Sequence, residues 1–336
     1  MPKSRILGRK AALAIVAIAG ATVATGSAAR ANLKINATYT NSPTGASGSL
    51  GFTNTAGSNT SYFEGQIQDA INRVESYIAN NVTVNITFDA MGGGLGQSST
   101  YTSAISYVNY KNNLLVSQTP SSYDTTAYTS LPGTLGSPFP SNAQITTTLP
   151  LLRAFGYGYN PPAGSPDSTI SLNLSLMATS SGGLNGSNYS IQSVAAHEID
   201  EVLGIGGPGS QLGQSSGNIG PLDLFRYSAN GVRSYSTSAA SSYFSINGGA
   251  TNLTGFNQQS GADYSDWKTG ASPQVQDAFG TPGVNSVLGR NELIALDVIG
   301  WNLTTAGSAV EVPEPATLAM LAIGGIGLLT ARRRNK

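Results

Sequence analysis

The sequence predicts a single domain of the α+β class in the body of the chain. Apolar residues recur at helical spacing over residues 63–78, whereas residues 82–88 and 169–177 alternate apolar and polar side chains as strands do. The half that follows Gly204 is irregular and rich in glycine. Because helices and strands do not alternate regularly, the order favours a mixed sheet with separate helices over a doubly wound α/β fold.

The first half of the body is expected to contain three elements. Residues 33–39 alternate apolar and polar side chains and predict an edge strand. The amphipathic segment 63–78 predicts a helix with Ser61 as its N-cap. The strand at 82–88 follows and ends before a run of three glycines.

Further elements are weaker in the sequence but have recognisable starts and stops. Short helices are expected near residues 104–115 and 149–157, and a strand at 169–177. A last amphipathic helix is expected at 292–301, stopped by a glycine. Its acidic residues are expected on the solvent-facing side: Glu292 and Asp297.

The segment 193–207 holds the only histidine of the chain, His197, followed by three carboxylates in four residues. Wound as a helix, it gathers His197, Asp200 and Glu201 along one stripe, with Glu198 at the edge of that stripe. The opposite side is apolar and suited to a core. Gly204 permits a helix stop. A buried helix with one polar stripe is typical of a metal-binding or catalytic platform.

The run His197-Glu198-Ile199-Asp200-Glu201 resembles the zinc-peptidase motif, in which two histidines one helical turn apart bind zinc. The central region therefore resembles a zincin-like metallopeptidase domain of bacterial sorted proteins, in which a mixed sheet flanks the active-site helix. The resemblance implies that His197 and Glu201 bind the metal. It also implies that Glu198 is the general base acting on metal-activated water.

The departure from the motif is the carboxylate of Glu201 where the second histidine is expected. Because no other histidine exists, a third protein ligand must supply oxygen; Asp223 is the first candidate, and Asp200 is an alternative or supporting residue. Zn²⁺ is the expected metal, with Mn²⁺ or Ca²⁺ as alternatives because both suit oxygen-rich sites. A carboxylate ligand also weakens the Lewis acidity of the metal, so an attenuated enzyme is expected.

Two other interpretations stay open on the sequence alone. One is a non-catalytic extracellular-matrix or adhesion protein on a degenerate zincin scaffold, and the other is a calcium-stabilised adhesion domain. The acidic and aromatic turn at residues 263–267 could bind calcium or stack on a sugar, although a solvated loop is favoured there.

The N-terminal residues 1–31 have the pattern of a secretory signal peptide. A basic start precedes an apolar stretch at residues 11–24, and Ala29-Arg30-Ala31 supplies a small-x-small cleavage pattern before Asn32. Residues 32–308 are therefore expected to form the exported domain, delivered through the export translocon.

The C-terminal residues 312–336 resemble the PEP-CTERM sorting signal of Gram-negative bacteria. They contain Pro313-Glu314-Pro315, a short hydrophobic stretch expected to be helical, and the basic cluster Arg332-Arg333-Arg334. The resemblance implies recognition by an exosortase after export across the inner membrane. It also implies transient anchoring in the membrane, then delivery to the cell surface or extracellular matrix.

Charge and cysteine content limit the partners of the exported body. Without the two terminal signals, eight basic and sixteen acidic residues remain, a net charge of about −8. A nucleic-acid partner is therefore not expected, whereas a peptide substrate or an exopolysaccharide is compatible with this charge. The chain has no cysteine, which excludes disulfides and thiolate chemistry.

Overall fold

The computed structural model describes residues 33–44, 48–117, 121–238 and 240–311. The predicted signal peptide (1–31) and sorting signal (312–336) lie outside the described residues. Among the helices described, none has the length and apolar character needed to cross a membrane.

The described part of the chain is a mixed α+β structure, which confirms the predicted class at that level. The strands are β1 (Lys34–Tyr39), β2 (Thr83–Ala90), β3 (Gly96–Thr100), β4 (Thr102–Ser106), β5 (Gln144–Thr148), β6 (Ser168–Leu172), β7 (Arg226–Ala229), β8 (Val232–Arg233), β9 (Tyr243–Phe244) and β10 (Thr254–Gly255). The helices are α1 (Phe52–Ala56), α2 (Thr60–Tyr77), α3 (Tyr107–Ser117), α4 (Ser122–Ser130), α5 (Leu149–Ala154), α6 (Ile191–Leu203), α7 (Arg290–Ile299) and α8 (Thr305–Glu311).

The central sheet has the strand order β1-β2-β6-β3. Strands β1, β2 and β6 are parallel, whereas β3 runs antiparallel to β6, with Ser98 opposite Ile170. The predicted edge strand at 33–39 is confirmed as β1. At the other edge, β3 has no partner strand beyond it among the described residues.

Helices α2 and α6 pack against each other, and α6 also contacts β3 and β6. The apolar positions of both helices are fully buried, as are alternate residues of β2. This packing explains why a chain without disulfides can fold, because the core joins both helices to the parallel strands. It also fixes one side of α6, so that its other side is presented to the cavity beside β3.

Three predicted boundaries shift in the structure. The chain is already helical at Ser61, because α1 and a 3₁₀ turn at Gly57–Asn59 lead directly into α2; Ser61 is therefore not the N-cap, and Asn59 occupies that position. The segment near 104–115 divides into β4 and α3, because β4 pairs with β5. Strand β6 ends at Leu172 and is followed by a 3₁₀ turn at Leu174–Leu176.

The prediction that Glu292 and Asp297 face solvent is wrong. Helix α7 is confirmed, and it ends at Gly300, whose φ is 125°. Both acids are buried. Glu292 accepts hydrogen bonds from the indole N–H of Trp267 (3.0 Å) and the backbone N–H of Gly289 (3.0 Å). Asp297 accepts one from the Ser121 hydroxyl (2.7 Å). Neighbouring elements cover α7 on these sides.

A smaller antiparallel sheet, in the order β10-β9-β7-β8, supports the irregular segment 257–289. Trp267 stacks on Phe244 with ring centroids 5.5 Å apart and contacts Phe256 at 5.4 Å. The buried guanidinium of Arg226 lies 4.4 Å from the centre of the Phe256 ring and donates to the carbonyl of Asn257. The segment is thus fixed by an aromatic cluster although it has little regular structure.

Candidate metal centre

Helix α6 is built as the sequence indicates, with a capped start and a glycine end. The Ser190 hydroxyl accepts a hydrogen bond from the backbone N–H of Ser193 (3.2 Å), which caps the first turn. Gly204 has a φ of 107°, a left-handed conformation that glycine adopts without the steric cost of a side chain. The helix therefore places His197, Glu198 and Glu201 together at a cavity of about 770 Å³.

The cavity has two further walls. One is β3, from Gly96 to Thr100, and the other is the segment 274–281. Glu198 lies directly against β3, because a Cβ atom at Gly96 would collide with its carboxylate. Only glycine at that position lets the edge strand approach the Glu198 side chain so closely.

His197 is oriented through the ring nitrogen that faces away from the acids. Its Nδ1 lies 2.9 Å from the carbonyl oxygen of Val275. Since a carbonyl only accepts, Nδ1 carries the proton, and the lone pair of a neutral ring is on Nε2. Nε2 faces Glu201 Oε1 at 3.7 Å and Asp266 Oδ1 at 3.9 Å. A backbone carbonyl on the other ring nitrogen is the usual support of a metal-binding histidine.

His197, Glu201 and Asp266 form a group that could hold a metal ion, with one donor atom from each within 4.8 Å of the others. Donors about 2.1 Å from a tetrahedral metal lie about 3.4 Å from one another. The measured separations of 3.7 and 3.9 Å are close to that spacing. The three side chains therefore fit a small divalent cation after minor adjustment.

Glu201 is held in place as a carboxylate. Its Oε2 accepts a hydrogen bond from the Ser98 hydroxyl (2.7 Å), and its Oε1 accepts one from the backbone N–H of Gly207 (3.0 Å). Burial alone would raise the pKa of Glu201, but its hydrogen bonds and the charge of His197 lower the pKa below its ordinary value. Gly207, which has no side chain to bind metal, thus serves the site through its amide.

The other acids of the site show the opposite shift. Burial and the charge of Glu201 raise the pKa of Glu198 well above its ordinary value. Burial is also the main cause that raises the pKa of Asp266 to about 8 and that of Asp263 to about 6. For His197, burial would lower the pKa, but Asp266 and the two glutamates raise it well above its ordinary value.

The charges around His197 are not balanced by any nearby lysine or arginine among the residues that line the cavity. Glu198 is 4% exposed, and its Oε2 has no hydrogen-bond partner in the described part of the chain. Such a cluster stores electrostatic repulsion, which protons or a cation relieve. The unpartnered oxygen and the facing donors together fit a bound divalent cation.

The structure does not bring Asp223, the first predicted third ligand, to this group. Asp223 accepts hydrogen bonds from the Ser210 hydroxyl (2.6 Å) and from the backbone N–H groups of Gln211 (2.8 Å) and Gly220 (2.7 Å). These contacts close the glycine-rich loop 210–220. Both carboxylate oxygens are therefore engaged, and Asp223 does not line the cavity.

Asp200, the alternative ligand, also lies away from the cavity. It is fully buried, and neither of its carboxylate oxygens has a partner among the described residues. Burial, followed by the charge of Glu292, raises its pKa well above the ordinary value. The predicted polar stripe of α6 thus divides, with Asp200 on the side that faces the interior near α7.

Sequence reasoning gave the turn that contains Asp266 as a possible calcium site, but it did not place Asp266, Val275 or Gln276 beside His197. The turn at 263–267 was expected to be a solvated loop, but Asp266 and Trp267 are buried. The aromatic Trp267 predicts its own burial but not that of its neighbours, since Lys268 on its other side is exposed. For the contact between the Val275 carbonyl and His197, 78 residues apart, the local sequence contains no signal.

Comparison with known proteins adds one finding, at the end of the chain. Residues 311–334 match the PEP-CTERM protein-sorting motif. The chain therefore carries an exosortase-type sorting signal. The motif implies recognition by an exosortase and export to the cell surface or extracellular space, as residues 312–336 predict. Neither curated proteins nor solved structures gave a match to the chain.

Proposed function

We propose that the exported body of this sorted protein is a zincin-like, metal-dependent hydrolase that cleaves peptide bonds in its cavity. The observation that carries the proposal is the convergence of three donor atoms, from His197, Glu201 and Asp266, beside the buried carboxyl of Glu198. The order of α2, β2, β6 and α6 along the chain is the order that the resemblance implies, and it supports the zincin-like assignment.

Glu198 has the position and environment of a general base. Its side chain lies between the donor group and β3, so that it can reach a water molecule at one end and a substrate at the other. Burial, followed by the charge of Glu201, raises the pKa of Glu198 above its ordinary value, which makes its carboxylate a stronger proton acceptor. In the proposed reaction, Glu198 takes a proton from the attacking water and delivers it to the leaving amine.

A cation held by His197, Glu201 and Asp266 would supply positive charge that lowers the pKa of a water molecule and polarises the substrate carbonyl. The chain itself supplies the remaining parts. No strand of the described residues pairs with the outer edge of β3, and an extended peptide can add there as a further strand. Ser98 and Gly207 hold Glu201 in its orientation, and Val275 holds His197.

The set of donor atoms also affects which metal binds and how fast the peptide bond is hydrolysed. One imidazole and two carboxylates suit Zn²⁺, and they accommodate Mn²⁺ or Ca²⁺ better than a set of histidines does. The additional negative charge reduces the polarising power of the cation. We therefore expect slower hydrolysis than at a site with three histidines.

The finer steps of export belong to the same proposal. Residues 1–31 are removed on passage through the export translocon, and the hydrophobic stretch before Arg332 anchors the chain in the membrane until an exosortase acts. The released body then works at the cell surface or in the extracellular matrix, where its low charge and polar surface suit a polysaccharide environment.

Two variants test the proposed function. Purified wild-type protein should hold about one divalent metal ion per chain by elemental analysis, after incubation with Zn²⁺, Mn²⁺ or Ca²⁺ in parallel. His197→Ala should lose the metal. Glu198→Gln should keep the metal and cleave an unstructured protein substrate at least about 100-fold more slowly.

A matched control is Asp277→Asn, which changes another acid of the cavity outside the donor group and should leave metal content unchanged. Unchanged cleavage by Glu198→Gln contradicts the mechanism. Full metal content without cleavage by the wild type points instead to the non-catalytic matrix protein. Failure of the wild type to bind any of the three ions defeats the proposal.

A further inference from the structure

The side chain of Gln276 enters the donor group, although no sequence motif marks it. It is fully buried, and its Nε2 donates a hydrogen bond to Asp266 Oδ1 at 2.9 Å. The same nitrogen lies 3.3 Å from His197 Nε2. Gln276 thus places the positive end of an amide dipole between the two side chains that face the proposed cation.

The other end of this amide is unsatisfied. Gln276 Oε1 is buried and has no hydrogen-bond partner in the described residues. A buried amide oxygen without a partner costs about 1–3 kcal/mol, so no contact at this end of the amide among the described residues opposes a half-turn of the group.

A half-turn about the last side-chain bond exchanges the two ends of a carboxamide without changing its shape. Oε1 would then occupy the place where Nε2 now lies, 2.9 Å from Asp266 Oδ1 and 3.3 Å from His197 Nε2. Ligands at right angles around an ion at about 2.1 Å are about 3.0 Å apart, and tetrahedral ligands are about 3.4 Å apart. The 3.3 Å distance falls in this range, and the 2.9 Å distance lies just below it.

The backbone leaves room for this side chain at one glycine. A Cβ atom at Gly206, where φ is 62°, would collide with the Gln276 carboxamide and would crowd Glu201. The main chain of Gln276 is also fixed, because its carbonyl accepts from the backbone N–H of Trp267 (2.8 Å) and its own N–H donates to Glu292 (3.3 Å). The carboxamide is held at the donor group from both directions.

We propose that Gln276 is the fourth protein ligand of the cation site, through Oε1, and that its N–H group takes the place of the cation when the site is empty. The inference rests on the proposed metal site of His197, Glu201 and Asp266. It changes the expected ion. Four protein ligands fill a tetrahedral Zn²⁺ site, whereas a six-coordinate ion such as Mn²⁺ keeps two positions for water and substrate.

The test measures Mn²⁺ binding by the full exported chain, using the electron paramagnetic resonance signal of free Mn²⁺, with Zn²⁺ binding measured in parallel by competition with a chelator. Gln276→Leu keeps the side-chain volume and removes both polar atoms. It should weaken Mn²⁺ binding roughly 10–100-fold and weaken Zn²⁺ binding less. Equal Mn²⁺ affinity in Gln276→Leu and the wild type overturns the assignment.

Gln276→Glu separates a ligand from a hydrogen-bond donor. It keeps an oxygen that can bind the cation and removes the N–H group, so Mn²⁺ binding should be equal to or stronger than that of the wild type. A loss as large as that of Gln276→Leu shows that the N–H donor is what matters and overturns the proposal.

The matched control is Gln258→Leu. Gln258 lies in the same irregular segment and also has a buried Oε1 without a partner in the described residues, but its Nε2 donates to the Ser242 hydroxyl (2.7 Å) instead of to the donor group. Its change should leave Mn²⁺ affinity unaltered. Absence of Mn²⁺, Zn²⁺ and Ca²⁺ binding in the wild type defeats the proposed function itself, whereas metal binding that is indifferent to Gln276 defeats only this inference.

Discussion

The two sides of the candidate metal centre are built in different ways. Helix α6 supplies His197, Glu198 and Glu201 from five consecutive residues, because one helical turn brings positions i and i+4 together. The segment 257–289 supplies Asp266 and Gln276 from irregular chain, about ten residues apart, held by aromatic packing and by backbone contacts. The first side depends on local periodicity and the second on tertiary structure.

This difference indicates where the site is sensitive to mutation. The α6 donors keep their spacing as long as the helix forms, and burial of its apolar side secures that helix. The donors of the irregular segment keep their positions only while Trp267 remains between Phe244, Phe256 and Glu292. Packing changes beneath the segment should therefore affect metal binding more than comparable changes on exposed chain.

The largest effect is expected for Trp267→Ala. Removal of a fully buried tryptophan costs about 3–5 kcal/mol and also leaves Glu292 without its indole donor. Denaturant unfolding without added metal should show this loss. Phe279→Ala, in the same segment but 44% exposed, is the control and should change the free energy of unfolding by less than about 0.5 kcal/mol. A loss below about 1 kcal/mol for Trp267→Ala contradicts the role of the aromatic cluster.

The second effect distinguishes Asp266, the third ligand proposed from the structure, from Asp223, the one expected from the sequence. Asp266→Asn should lower metal affinity roughly 100-fold, about 2.7 kcal/mol, because the amide removes a charged donor. Asp223→Asn should leave the affinity unchanged while it destabilises the chain by about 1–3 kcal/mol, since the loop 210–220 loses acceptors. Isothermal titration and thermal unfolding of both variants check this pair. The reverse pattern would restore Asp223 as the ligand.

The sequence predicts what local periodicity encodes. Strands β1 and β2, helix α6 and its stop at Gly204, and helix α7 are all recognisable from spacing. The start of α2 was misplaced because a preceding helical turn has no apolar pattern of its own. The division of residues 104–115 into β4 and α3 depends on pairing with β5, which lies about 40 residues further along the chain.

The candidate site was likewise predictable only where local periodicity encodes it. His197, Glu198 and Glu201 follow from one helical turn, whereas Asp266 reaches His197 only through folding of the segment 257–289. Asp223 was nearer in sequence and equally acidic, so spacing alone could not exclude it. The burial of Asp200, Glu292 and Asp297 was also missed, because it depends on which elements pack over α6 and α7, and local periodicity does not encode that packing.

A third prediction uses pH to separate the metal centre from another acidic pair. Asp124 and Asp297 lie at the contact of α4 and α7, with the Ser121 hydroxyl bonded to Asp297. Burial, then the charge of Asp297, raises the pKa of Asp124 to about 8, and burial raises that of Asp297 to about 7. Protonation therefore favours the folded state at this pair, and its stabilisation is lost as pH rises through about 7 to 8.

Chemical denaturation at pH 6 and pH 8 should show this sign. The Asp124–Asp297 pair should make the free energy of unfolding higher at pH 6 than at pH 8 by roughly 1–2 kcal/mol. Asp297→Asn should reduce that difference. Metal affinity should change in the opposite direction, because protons compete with the cation for His197 and the carboxylates. A pH dependence that is identical in the wild type and Asp297→Asn contradicts the assignment to this pair.

The smallest effect is expected at Gly204, where α6 ends. Gly204→Ala introduces a side chain at a φ of 107° and should cost about 1–2 kcal/mol, although the space around the new methyl group is adequate. Gly65→Ala is the matched control. Gly65 is exposed in the middle of α2 with no positive φ, so the same change should stabilise the chain by about 0.5–1 kcal/mol. If Gly204→Ala lowers the melting temperature and Gly65→Ala raises it, the end of α6 requires the left-handed conformation. That conformation turns the chain so that the Gly207 amide reaches Glu201. If both variants shift the melting temperature in the same direction, the turn adjusts, and Ser98 and Gly207 hold Glu201 without a left-handed residue at position 204.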